Sequence, residues 1–161
     1  YRFYYTQYIG NRYAIIMIPG AWSFEMVEIW LPRSIWVKSK RAFIAVNYEL
    51  FDGRPRRPEV DGGYHAIRMP VLEGLHRERR QATVVVIREV TAEYYAPVGS
   101  WQIRESIRRA LKRPIAKPTD LATALRYVQK FIETDINEVY KRSFLLKHVS
   151  KQRKLDRFMN V

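Results

Sequence analysis

The chain has 161 residues, with 29 Lys and Arg against 16 Asp and Glu, a formal net charge of +13, and 14% aromatic side chains. A field of that size on a 19.2 kDa protein calls for a polyanionic partner, and the aromatics offer flat faces on which unpaired bases can stack. Cysteine is absent and 47% of the residues are apolar, which excludes a disulfide framework, a cysteine zinc knuckle, a thiol nucleophile and wholesale disorder.

Ionic side chains outnumber Asn, Gln, Ser and Thr about twofold, the bias of proteins from hot environments. That points to a thermophile, an archaeon or its virus. No apolar run reaches about eighteen residues; the longest, Tyr13–Gly20, suits a buried strand. No membrane span is expected, and the chain is placed in the cytoplasm or inside a virion.

In chain order, Tyr1–Ile9 alternates aromatic and polar residues, Gly10-Asn11 supplies a tight turn, and Arg12–Ile18 is a continuous apolar run. Together they read as a β-hairpin. Trp22–Leu31 fits a strand better than a short helix. Ile35–Lys38 and Ala42–Phe51 flank the basic turn 38–41. Arg54–Gly63 reads as a Pro- and Gly-rich loop, His65–Met69 as a short strand, and His76–Gln81 as a charged loop. Ala82–Tyr95, centred on Val84–Ile87, is the strongest strand.

After Pro97 the period changes. Ser100 is the expected N-cap of a helix over Trp101–Arg113, and Thr119 of a second helix from Asp120. Leu121, Leu125, Val128, Ile132, Ile136 and Val139 form one stripe. A break near Thr134 is the alternative, because Asp135 and Glu138 have capping-box spacing. The expected fold is α+β: a twisted antiparallel sheet of five to six strands, then two to three helices on one face. Residues 1–97 form the β-rich nucleic-acid-binding part, 98–150 a helical part of the same domain, and 151–161 a basic tail.

Three groups of residues are candidates for nucleic-acid binding. Arg104, Arg108 and Lys112 stand at i, i+4, i+8 and form a row of cations about 6 Å apart on one helix face. Glu105 is the one acid within that helix. Lys38, Lys40 and Arg41, then Arg54, Arg56 and Arg57, then Arg77, Arg79 and Arg80 form basic clusters at strand ends, where a nucleic-acid strand crossing the sheet would meet them. The plainer reading of both groups is a solvated, charged surface. In the first strand, Tyr1, Phe3 and Tyr5 share one face, while Arg2, Tyr4, Thr6 and Tyr8 share the other. With the first set in the core, Arg2, Tyr4 and Tyr8 make an exposed stacking platform.

The C-terminus carries Gln152, Leu155 and Phe158. This spacing resembles the sliding-clamp-binding box of replication and repair proteins, although Met159 departs from its second aromatic position. The resemblance implies a partner-binding role for these three residues. Leu155 and Phe158 also suit the end of an amphipathic helix, which is the preferred of the two readings.

Signals for catalysis are thin. His65, His76 and His148 lack metal-ligand spacing. Tyr127-x-x-Lys130 resembles the nucleophile motif of rolling-circle initiators, but the His-x-His motif such enzymes need is missing. Glu49, Asp61 and Glu89 are candidate magnesium ligands for a nuclease. No cofactor, no resident metal and no enzymatic activity are expected. The reading is a sequence-nonspecific coating or packaging protein of a thermophile, either a single-strand-binding protein or a viral nucleocapsid-type subunit. DNA is favoured over RNA, and the long helix favours a homo-oligomer. The alternative is a clamp-recruited metal-dependent nuclease or repair enzyme.

Overall fold

The structure is a computed structural model, and it describes residues 1–34, 37, 40–56, 62–96 and 98–151. The chain runs β1 (Arg2–Tyr8), β2 (Asn11–Ile18), β3 (Ser23–Trp30), β4 (Phe43–Glu49), α1 (Gly62–Glu78), β5 (Thr83–Val90), α2 (Gly99–Ala110), α3 (Leu121–Gln129), α4 (Ile136–Arg142) and α5 (Phe144–Lys151). This is the expected α+β class, with a five-stranded sheet drawn mostly from the N-terminal part. The sheet order is β1-β2-β5-β3-β4. It is mixed, because β5 pairs antiparallel with β2 and parallel with β3.

All eight residues of β5 are buried, as a central strand covered on both faces requires. Helices lie on both faces, not on one. Tyr4, Tyr13, Ile15, Phe24, Met26, Val84 and Val86 pack with Tyr64, Ile67, Val71, Ile103 and Ile107 of α1 and α2. On the other side Phe3, Ile16, Val27, Ile29, Val85 and Ile87 pack with Val128, Val139, Leu145 and Leu146 of α3, α4 and α5. The alternation expected along β1 is present, but its second face meets α1 and α2 where solvent was expected.

Four local readings are corrected. His65–Met69 is not a strand and His76 to Glu78 are not in a loop; both belong to α1. Two of its apparent breakers, Pro70 and Gly74, lie in packed surroundings. Pro70 is buried, and a Cβ on Gly74 would stand 3.1 Å from Leu111 Cδ1, where α2 ends. The stripe from Leu121 to Val139 is two helices, broken at Thr134. The Glu89 carboxylate accepts from Glu133 N, Thr134 N and Thr134 Oγ1. Gln129 Oε1 accepts from Ile136 N at 2.7 Å, and Asp135 caps α4 through Asn137 N. These side chains satisfy the donors that an unbroken helix would have used. Asp120, not Thr119, caps α3 by accepting from Thr123 N. Val98, not Ser100, occupies the N-cap of α2, with no side-chain cap.

The β1–β2 turn needs its glycine. Gly10 has φ +66°, and a Cβ there would lie 2.3 Å from Tyr94 N. Thr91 N donates to Gly10 O at 2.8 Å, fixing the turn to the segment leaving β5.

Candidate nucleic-acid interface

The strongest meeting of cations is the seam where α1 and α2 pack. Glu73 of α1 receives Arg108 Nε at 2.8 Å and Nη2 at 2.7 Å. Arg108 Nη1 reaches Glu105 one turn earlier on α2. The hydrogen bonds from Arg108 hold the Glu73 carboxyl below its ordinary range, and the charges of Arg77 and Arg104 add to the effect. The structure therefore gathers Arg77, Arg104 and Arg108 about one carboxylate. Arg108 is not the free phosphate contact expected; its second acid comes from α1, 35 residues away in sequence. Arg104, Arg77 and Lys112 are exposed. A solvent-exposed ion pair of this kind is worth only about 0–1 kcal/mol, so a phosphate can compete for its guanidinium.

A second basic group lies where β1 begins and α1 ends. Arg2, Arg80 and Lys117 line an open cleft of about 280 Å³ together with Tyr1, Leu75 and Glu78. Arg2 is paired with Glu78 rather than free. Arg79 is exposed at φ +52°, where the chain turns out of α1.

The remaining clusters separate. Lys40 and Arg41 are exposed before β4, while Arg54 and Arg56 are exposed after it. Seven residues of strand, roughly 20 Å, stand between them. Arg56 Nη2 pairs with Asp52 at 2.9 Å. Lys38 and Arg57 lie outside the described residues, as do Asp61 and the tail residues Gln152, Leu155 and Phe158.

The tyrosine platform is half overturned. Tyr4 is 1% exposed, packed beneath α1 and α2, and burial pushes its hydroxyl pKa up. It cannot stack on a base. Tyr8 is 40% exposed, at the end of β1 where the helical cover stops.

The candidate metal carboxylates do not converge. Glu49 sits opposite Phe24 on the α1–α2 face of the sheet and accepts from Trp22 Nε1, Tyr64 OH and Arg68 Nε at 2.8–3.0 Å. Glu89 lies on the opposite face, bound to Arg12 and to the loop after α3. The sheet itself stands between the two, so they cannot share an ion. Glu25 and Glu28, overlooked in the sequence, are likewise buried in β3. Glu25 accepts from Phe144 N and Leu145 N at 2.8 Å and from the Ser143 hydroxyl. Glu28 accepts from Arg88 Nη1 at 3.0 Å and Trp30 Nε1 at 2.6 Å. These strand carboxylates hold the interior together. Among the described residues, no group of three or more His, Asp or Glu side chains is placed to hold a metal ion, and no helix is long and apolar enough to cross a membrane.

Sequence reasoning missed Glu73 and could not join Arg77 to Arg104. The available signal was the spacing of Ile67, Val71, Gly74 and Leu75, which puts Arg77 and Glu73 on the rim of a helix face.

Comparison with known proteins bears on the functional reading. Residues 49–158 match the family described as Archaeal Nre, C-terminal, and residues 1–37 match Archaeal Nre, N-terminal. The chain is 38% identical over 143 residues to the DNA repair protein NreA of Haloferax volcanii, covering 87% of this chain and 34% of that protein. It is 44% identical over 108 residues to NreA of Archaeoglobus fulgidus, covering 66% and 27%. It is 32% identical over 159 residues to the DNA repair protein NreB of the same organism, covering 99% and 40%. The chain thus spans about a third of the length of the curated relatives it matches. No solved structure matches it. These likenesses overturn the single-strand-binding and nucleocapsid readings and the viral origin: the relatives are archaeal repair proteins, not coats.

Proposed function

The chain belongs to the archaeal Nre family, and on that premise we propose that it is the part of a DNA repair protein that engages DNA through the α1–α2 seam. The observation that carries this reading is the gathering of Arg77, Arg104 and Arg108 about Glu73. Three guanidiniums against the two carboxylates Glu73 and Glu105 leave a net positive spot, and the cleft lined by Arg2, Arg80 and Lys117 extends the charge beyond the end of α1. Contacts of this kind bind the phosphate backbone and read no bases. The protein works inside the cell, where its DNA is.

The likeness to DNA repair proteins turns the tail reading from a helix end to the clamp-type spacing Gln152, Leu155 and Phe158, which supplies recruitment. A sliding clamp that binds the tail would hold the basic seam near DNA and raise its effective concentration there. No catalytic step is assigned to this part of the protein.

Two measurements test the proposal. Fluorescence anisotropy with duplex DNA should show affinity falling roughly a thousandfold between 50 and 200 mM salt if about six phosphates are neutralised. A flat salt response removes the electrostatic mechanism. Deleting residues 152–161 should abolish capture by an archaeal sliding clamp and leave affinity for bare DNA nearly unchanged. Loss of bare-DNA affinity with clamp capture intact would assign the tail to the DNA interface instead.

A further inference from the structure

Along α2, from Trp101 in its first turn to Arg109 in its last, the surface opens into a slot lined also by Tyr8, Gln102, Glu105 and Ser106, with a volume of about 200 Å³. Two of its walls are aromatic and open to solvent: Tyr8 is 40% exposed and Trp101 53%. Two large aromatics exposed around one concavity offer flat faces to a planar ligand. The lining between them is polar. Gln102 is buried and its amide Nε2 donates to Tyr13 OH at 3.1 Å, which fixes its orientation. Ser106 is also buried as a residue, yet its hydroxyl makes no hydrogen bond with another described residue and stays available to a ligand.

The slot is built on rigid parts. Tyr8 ends β1 beside the glycine turn held by Thr91. Arg109 of α2 donates from Nη2 to Thr6 Oγ1 at 2.8 Å and to Gln7 O at 3.1 Å, tying the helix to the strand that carries Tyr8. The volume is below the roughly 300–1,000 Å³ of sites for drug-sized ligands and suits a single planar heterocycle. Charge selects the class of ligand. Trp101, Arg104, Arg108 and, just past the helix, Lys112 follow one another at i, i+3, i+7 and i+11, so the cations run alongside the slot, and Arg109 lines it. A sugar-phosphate chain crossing those cations brings its bases to the aromatic end of the helix. Glu105 also lines the slot, but it is held by Arg108.

We propose that the Tyr8–Trp101 slot receives one unpaired nucleobase of a DNA strand whose phosphates lie on the α1–α2 seam. The aromatic rings stack against the base, and the Ser106 hydroxyl meets a polar edge. This rests on the DNA-binding reading above and adds to it the form of DNA preferred: a duplex with an unpaired or extruded base. A perfectly paired duplex presents no free base face, so it can use only the phosphate contacts.

The test uses the full chain and three labelled duplexes that differ at one position: fully paired, carrying one extra unpaired thymidine, and carrying an abasic residue in place of that thymidine. The wild type should bind the unpaired-thymidine duplex about tenfold more tightly than the other two. Trp101→Ala should remove that difference and leave fully paired binding unchanged, Trp101→Phe should restore most of it, and Arg104→Ala should weaken all three duplexes alike. Circular dichroism on each variant confirms folding, and Tyr8→Ala provides a second test if Trp101→Ala does not fold. Equal wild-type affinity for the thymidine and abasic duplexes overturns the base slot, since distortion alone would then be recognised. Equal losses on all duplexes from Trp101→Ala also overturn it while leaving DNA binding in place. Binding to none of the three overturns both this inference and the functional reading beneath it.

Discussion

Glu25 offers a sharp test of how the second helical layer is held. Its carboxylate rises from the middle of the sheet to the start of α5 and accepts Phe144 N and Leu145 N, each at 2.8 Å, and the Ser143 hydroxyl. A carboxylate there satisfies helix donors that would otherwise be orphaned, and its charge suits the positive end of the helix. In Glu25→Ala the Ser143 hydroxyl can rotate to another acceptor, but the two backbone N–H groups cannot. Each unmet buried donor costs about 1–3 kcal/mol, a gross loss of about 2–6 kcal/mol. Relief from burying a charge offsets part of it, leaving a net destabilisation of about 2–4 kcal/mol. That is a large share of the roughly 5–15 kcal/mol typical of a domain. With urea slopes of about 1–3 kcal/mol per molar, the unfolding midpoint should fall by about 1–3 M. Glu133→Ala, at an exposed position, provides the comparison and should shift it little. A midpoint for Glu25→Ala within about 0.3 M of wild type would refute the idea that this carboxylate caps the helix.

Other outcomes are as definite. Burial is the largest influence on Glu25 and raises its pKa above the ordinary value, against the hydrogen bonds it accepts; the advantage of wild type over Glu25→Gln should therefore be full below the ordinary glutamate pKa and shrink as pH climbs through the raised one, measured by urea unfolding at several pH values. Glu73→Gln together with Glu105→Gln should free Arg108 from both its acids, tightening duplex binding at low salt and steepening the salt slope by about one; an unchanged slope would show that Arg108 does not reach DNA. Gly10→Ala should destabilise by more than about 1 kcal/mol, because it puts a Cβ both at positive φ and into the backbone of residues 93–94, and a thermal melt reads the loss.

Strand β1 was readable from its alternation, β2 and β5 from unbroken apolar runs rich in Val and Ile, and β3 and β4 from the turn residues beside them. Helix α1 was not, because Gly62-Gly63, Pro70 and Gly74 look like breakers when taken alone; the purpose of Gly74 is visible only against Leu111, at the end of α2, which fills the space that a side chain there would need. The same missing helix misled the reading of Tyr4. Alternation placed it correctly on the face away from Phe3, but local sequence cannot say that a helix 60 residues later covers that face. Tyr8 was readable because it stands at the strand end, past the cover. The cation row on α2 was visible as spacing, whereas the pairing of Arg108 with Glu73 depends on a contact between distant segments. The coat function inferred from charge and aromatics failed because net charge reports the class of partner and not the task performed on it.

The order β1-β2-β5-β3-β4 has a consequence for how the chain is made. β2 and β3 follow one another in sequence, yet β5 lies between them, so the stretch matching the N-terminal family description cannot complete its sheet without the stretch matching the C-terminal one. During synthesis at about 5–20 residues per second, the inner edges of β2 and β3 wait roughly 3–14 s for the strand that joins them. Over that interval the nascent chain displays two apolar strand pairs, β1–β2 and β3–β4, each with an edge open to wrong pairing. The two segments are therefore one folding unit: separated by a nick or a gene split, each would be left without its core, and mixing the halves is the condition under which either gains a stable sheet.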